Sequence, residues 1–209
     1  QQQRAALARA MAPGPQVLLM DEPFASVDIV LRRTLRRECR ILLREAGTTV
    51  VLVTHDPSEA IDIADRIAVM EAGRIVQFGT PQDLHQAPVT AAVGAIFGGA
   101  QVIAGRRTEA GLDTPFGLWP FAALAHDLPE AASFDLLVQA DRLTPVADLR
   151  GCRVRDVHPL GSRSRVLLEG ANGAAITVET AAPVDPAKAY SVAPDPESVR
   201  AFVRKEADG

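Results

Sequence analysis

A chain of 209 residues, 47% hydrophobic but only 4% aromatic, carries enough aliphatic side chain for one large core or two modest ones. Its formal charge of −4 is evenly spread, 10 basic and 11 acidic residues in 1–97 against 12 and 15 in 98–209, which argues against a dedicated nucleic-acid binder. No apolar run reaches the ~18–20 residues of a membrane span, no signal-peptide pattern opens the chain, and Cys39 and Cys152 have neither metal-ligand nor disulfide-framework spacing, so they read as buried thiols in a reducing compartment.

Gln1 to Ala12 is rich in good helix formers, with Leu7, Ala8 and Met11 on one side, and Pro13-Gly14-Pro15 ends it. The chain starts inside this helix without a methionine, as expected of a cut end. Val17-Leu18-Leu19-Met20 is an unbroken apolar run, expected to form a strand buried on both faces of a parallel sheet, and Pro23 cannot continue it. Asp21 and Glu22 then fall at the carboxyl end of that strand, the edge at which open parallel sheets bind ligands. One carboxylate there suits the hydration shell of Mg²⁺, and the next suits a water attacking a phosphate; an acidic turn ending a buried strand is the plainer alternative.

Ile29 to Ala46 has helical spacing, with Asp28 placed as N-cap and Gly47 as a left-handed C-cap. Leu31, Leu35, Cys39, Leu42 and Leu43 form its apolar stripe, and six arginines (32, 33, 36, 37, 40 and 44) are expected on a solvated face near Glu38 and Glu45. Thr48 to Val53 is a second β-branched strand, followed by Thr54-His55-Asp56-Pro57. Strand, helix and strand joined by one crossover form a βαβ unit with parallel strands, so Asp21, Glu22 and His55 are expected on one rim. A helix from Ser58 to Ala64, a hairpin over residues 66–78 turning at Gly73, a helix from Thr80-Pro81 and an alanine-rich helix over 91–97 follow.

Past Gly98-Gly99 the pattern changes to short alternating segments at 101–104, 134–138, 152–157, 165–169, 175–179 and 190–193, separated by glycine, proline and aspartate. They predict a small antiparallel barrel or sandwich, with a short helix closing the chain between Pro194 and Val203. Trp119 reads as a packing anchor, and His85, His126 and His158 as surface or turn residues without metal-ligand spacing.

Residues 1–97 resemble the second half of the nucleotide-binding subunit of ABC transporters. Val17–Pro23 looks like the Walker B strand with its catalytic glutamate, Ala25-Ser26-Val27-Asp28 is similar to the D-loop, and Thr54-His55-Asp56 is similar to the switch-histidine loop. Gln1 to Arg4 looks like the end of the signature motif, and Arg74 to Leu84 resembles the segment that closes this domain in import-type subunits. Residues 98–209 resemble the OB-like, TOBE-type regulatory barrel of importers of polyamines, ferric iron, sugars, sulfate and other oxyanions, on Val154 to Val157, Leu160 to Val166 and Glu197 to Val199. The implied fold is α/β: part of a P-loop NTPase domain followed by a small all-β barrel.

The resemblance implies ATP and Mg²⁺ as cofactors. By it, Asp21 holds Mg²⁺ through water, Glu22 is the general base, and His55 contacts the γ-phosphate. Gln1, Ser26 and Asp28 face ATP or the dimer partner. It also implies a homodimer of nucleotide-binding subunits on the cytoplasmic side of a membrane permease, served by a periplasmic or lipoprotein solute-binding protein, with no nucleic-acid partner. The sequence departs from the family in holding no G-x-x-x-x-G-K-[ST] loop: its lysines are Lys188 and Lys205. Gln139-Ala140-Asp141 stands where many relatives have Arg-Pro before an acid. The expectation is therefore an ATPase subunit that hydrolyses ATP only when an N-terminal half is supplied. The alternatives are a non-catalytic regulatory or dimerisation module, or relic, and a soluble ABC-type ATPase acting on DNA or ribosomes.

Overall fold

The computed structural model describes residues 2–25, 27–121, 124 and 128–204, and the chain divides into two compact units between Ala87 and Pro88. The sequence-based expectations for Gln1, Ser26 and His126 lie outside the described residues.

The first unit begins with α1 (Gln2–Met11), β1 (Val17–Asp21), α2 (Ile29–Ala46), β2 (Thr49–Val53) and α3 (Pro57–Ile63). β1 and β2 pair in parallel from Val17↔Thr49 to Asp21↔Val53, so both carboxyl ends share one rim. Asp28 caps α2 by accepting the Val30 N–H at 2.9 Å, and Gly47 closes it at φ 64°, a conformation that costs glycine nothing. Leu18 and Met20 pack with Phe24, Cys39, Leu43 and Ile63.

The opposite face of this sheet departs from the expectation of a strand buried on both sides. Leu19 is 75% exposed, and Val17, Val51 and Val53 are exposed beside it, because no other element of the first unit covers that face among the described residues. A groove of about 380 Å³ also runs beside the core, lined by Leu7, Met11, Leu18, Leu35 and Cys39.

The arginine face of α2 is not simply solvated either. Arg32 and Arg36 meet Asp56, Arg36 also meets Asp62, and Arg44 pairs with Asp65, so the helix is tied to α3 by charge-assisted bonds. The unit ends with the hairpin β3 (Ile67–Glu71) and β4 (Arg74–Gly79) and with α4 (Pro81–Gln86), whose Thr80 and Asp83 form a reciprocal capping box.

The second unit contains α5 (Ala91–Gly98), β5 (Gln101–Arg107), β6 (Gly111–Thr114), β7 (Gly117–Pro120), β8 (Ser133–Val138), β9 (Leu143–Leu160), β10 (Arg163–Glu169), β11 (Ala175–Thr180), β12 (Ala189–Pro194) and β13 (Arg200–Val203). α5 falls within the second unit, where it packs on β8: a Cβ on Gly94 would lie 2.2 Å from Leu137 Cδ2. The strands form two sheets, β11-β10-β9-β12 and β13-β8-β5-β6-β7, around one core that includes Trp119, Phe134, Leu136, Val166 and Ile176.

Among the described residues no closed barrel is seen; of the two expected forms, barrel or sandwich, the strands take that of two sheets facing one another over the apolar residues. The closing helix is also corrected. Pro196–Ser198 makes a single 3-10 turn, and residues 200–203 extend to pair with β8, burying Val199 beside it. Trp119 is fully buried and donates its indole N–H to the Val192 carbonyl at 2.6 Å. Cys39 and Cys152 are free and buried, and burial pushes the Cys39 thiol up to about 11, which leaves it unreactive near neutrality.

Candidate functional site at the rim of the parallel strands

The parallel pairing sets Asp21 and Val53 side by side, and each strand then breaks into a rim loop. Glu22 turns the chain at φ 45°, an uncommon conformation for a residue with a Cβ, and its N–H still donates to the Val53 carbonyl at 2.9 Å. That turn directs the Glu22 carboxylate across to the second loop. Its Oε1 accepts both the His55 backbone N–H at 2.9 Å and the His55 ring at Nδ1, 2.7 Å away. A carboxylate is acceptor-only, so Nδ1 carries the proton in this contact. The hydrogen bond and the charge of Glu22 raise the His55 pKa above its ordinary 6.5. The imidazole itself stands 81% exposed, with its other nitrogen open to a ligand.

The histidine loop is held from beneath. Thr54 Oγ1 donates to Glu59 Oε2 at 2.6 Å and accepts the Asp56 N–H at 3.0 Å, and Glu59 is 1% exposed. Asp56 caps α3 through Oδ1, which accepts from the Ser58 N–H, while its Oδ2 receives Arg36 at 3.4 Å and faces Arg32 at 3.6 Å. In the sequence Glu59 shows only as an acidic residue in the first turn of α3. Its spacing of three from the cap Asp56 was the available signal, but its burial and its bond to Thr54 belong to the tertiary structure.

Of the sequence-predicted residues, the structure brings Glu22 and His55 into contact. Asp21 lies at the end of the exposed face of β1, with Val17 and Leu19, and Asp28 sits at the N-terminus of α2 as its cap. Among the described residues no group of three or more His, Cys, Asp or Glu side chains is placed to hold a metal ion. Asp21 is a single exposed carboxylate, which fits the outer-sphere Mg²⁺ site found where phosphate oxygens supply the remaining ligands. The rim carries the carboxylates of Asp21, Glu22 and Asp56, the last held by Arg36, and one imidazole, with no lysine anywhere in the first unit, so it suits the water side of a phosphoryl transfer and lacks a phosphate cradle. Among the described residues no helix is long and apolar enough to cross a membrane.

No protein-family model matches the chain. It is 39% identical over 187 residues to a sulfate/thiosulfate import ATP-binding protein of Chromobacterium violaceum, which covers 86% of this chain and 50% of that protein. It is 35% identical over 191 residues to a spermidine/putrescine import ATP-binding protein of Pseudomonas aeruginosa, covering 86% and 51%. An Fe(3+) ions import ATP-binding protein of Pseudomonas fluorescens is 48% identical over 112 residues, 54% of this chain and 31% of that protein. The chain thus spans about half the length of the relatives that match most of it. Over most of its length, its homologues are import ATP-binding proteins.

Proposed function

We propose that this chain forms the carboxyl-terminal part of the ATP-hydrolysing subunit of an ABC importer, and that Glu22 and His55 are its catalytic pair. The contact between them, at the carboxyl ends of two parallel strands, is the observation that carries the reading. ATP with Mg²⁺ supplies the transferable phosphoryl group and the metal's charge. Asp21 holds the hydrated Mg²⁺. Glu22 is the general base: His55 fixes its Oε1, which leaves Oε2 to orient a water and take its proton. His55, protonated more readily because of Glu22, donates from Nδ1 to the carboxylate and from its second nitrogen to an anionic oxygen. Asp28 faces the nucleotide or the opposing subunit of a homodimer.

The missing phosphate-binding loop makes hydrolysis depend on an amino-terminal half. Residues 1–97 then complete an ATPase domain, and residues 98–209 act as a TOBE-like regulatory domain whose sheets stay open. The subunit works at the cytoplasmic face of a membrane permease, and the relatives' printed substrates, sulfate or thiosulfate, spermidine or putrescine, and ferric iron, set the range of solutes. In a chain where residues 1–209 follow such a half, Glu22→Gln abolishes phosphate release and leaves ATP binding intact. Unchanged turnover removes Glu22 from the base role.

The second reading, a regulatory or dimerisation module without hydrolysis, is favoured by the well-sealed core of the second unit. It predicts that residues 98–209 dimerise or bind a small anion by themselves, and sedimentation together with calorimetry against sulfate checks both.

A further inference from the structure

Arg32, like Glu22, touches both rim loops. From the first turn of α2 its Nη2 donates to the Val27 carbonyl at 3.1 Å and to the Ala25 carbonyl at 3.4 Å, on the loop that follows Glu22. Its Nη1 lies 3.6 Å from Asp56 Oδ2, on the loop that carries His55. The guanidinium is half-buried, and its Nε is buried without a partner, so the group is committed to its Nη contacts. Arg36, one turn on and only 7% exposed, holds the same Asp56 oxygen and Asp62, while the other Asp56 oxygen accepts the Ser58 N–H. Within the first loop the Ala25 N–H donates to the Glu22 carbonyl, which ties that Arg32 anchor point to Glu22, and the Val27 N–H donates to the Phe24 carbonyl.

We infer that Arg32 is a positioning residue that locks the loop bearing Glu22 to the loop bearing His55, so that the two loops shift together. A planar fork is needed for this, because it presents separate N–H donors to two carbonyls on one side and a carboxylate on the other; an ammonium offers one point charge. The bearing of the lock on hydrolysis rests on the function proposed above, whereas the lock itself does not. A coupling between two loops is reciprocal, and that property separates it from simple support of one loop.

The test is site-resolved amide hydrogen exchange on the 209-residue chain. In Arg32→Gln, exchange of the Asp56 and Ser58 amides rises by about five-fold or more, the lower range for coupled sites. In Asp56→Asn, which keeps the side-chain oxygen that caps α3, exchange of the Ala25 and Val27 amides rises in return. Amides of β3 and β4 stay at their original rates in both variants. Arg32→Lys restores one loop and not both. Unchanged Ala25 and Val27 exchange in Asp56→Asn, equal acceleration throughout the first unit, or full protection of both loops in Arg32→Lys overturns the inference. In a completed subunit, Arg32→Gln lowers kcat and leaves KM for ATP within about two-fold, the pattern of a lost transition-state contact. If exchange behaves as expected and the unmodified completed subunit fails to hydrolyse ATP, the function proposal fails and the lock stands.

Discussion

Trp119, Phe134, Leu136 and Val166 of the second unit are sealed from solvent between two sheets, whereas in the first unit Leu19, adjacent to the core residue Leu18, is 75% exposed. The second unit encloses these residues in its own core, although Leu149 stands fully exposed. The first leaves one face of a parallel sheet uncovered and a groove beside its core, yet it places its polar groups with more care: a buried Glu59 bonded to Thr54, and an aspartate shared by two arginines. Parallel sheets are ordinarily covered on both faces, and among the described residues of the first unit one face of β1 and β2 is not.

The largest effect expected of this contrast is in the second unit. Phe134→Ala removes a fully buried ring and costs ~3–5 kcal/mol. Trp119 is the sole tryptophan, so its fluorescence in a denaturant series reports the loss, and a transition in first-unit signals that moves in step would break the comparison. Within the first unit, Leu18→Ala falls near the low end of the ~2–5 kcal/mol range for such changes, because the neighbouring groove already limits its contacts, and Leu19→Ala costs under ~0.5 kcal/mol. Equal losses at these adjacent positions, measured by the same denaturant method, would mean that the exposed face is covered in solution.

Smaller still is Thr80→Ala, which removes the cap of α4 and costs ~1 kcal/mol. The N–H and hydroxyl of Thr80 hold the Asp83 pKa below its ordinary 3.8, so the contribution of this box is present above that value and fades as pH falls through the depressed one. Stability curves of the wild-type chain and Thr80→Ala therefore converge in acid; parallel curves would remove the box from the account.

The elements legible in the sequence were those set by local pattern. The cap Asp28, the glycine stop at Gly47 and the crossover between two apolar runs placed Glu22 and His55 on one rim before any coordinates. What escaped was pairing across elements. Arg36 and Asp56 stand 20 residues apart, and no periodicity of α2 tells a buried arginine ladder from a solvated one. Pro196 and Ser198 look like a helix start, but residues 200–203 gain a strand partner in β8, and that tertiary pairing overrides the local signal. Gly111–Thr114 and Gly117–Pro120 are four-residue strands whose length gives alternation too little to act on.

The central claim is that the two rim loops already form one site through Glu22 and His55. It is tested most directly by following the His55 ring with pH by NMR, in the wild-type chain and in Glu22→Gln. Because the folded pKa is raised, the contact adds stability that is fully present below about pH 6.5 and is lost as pH rises through the higher folded value. The account predicts a midpoint above 6.5 in the wild type that falls toward 6.5 in Glu22→Gln. Superimposable titration curves for the two proteins would contradict it.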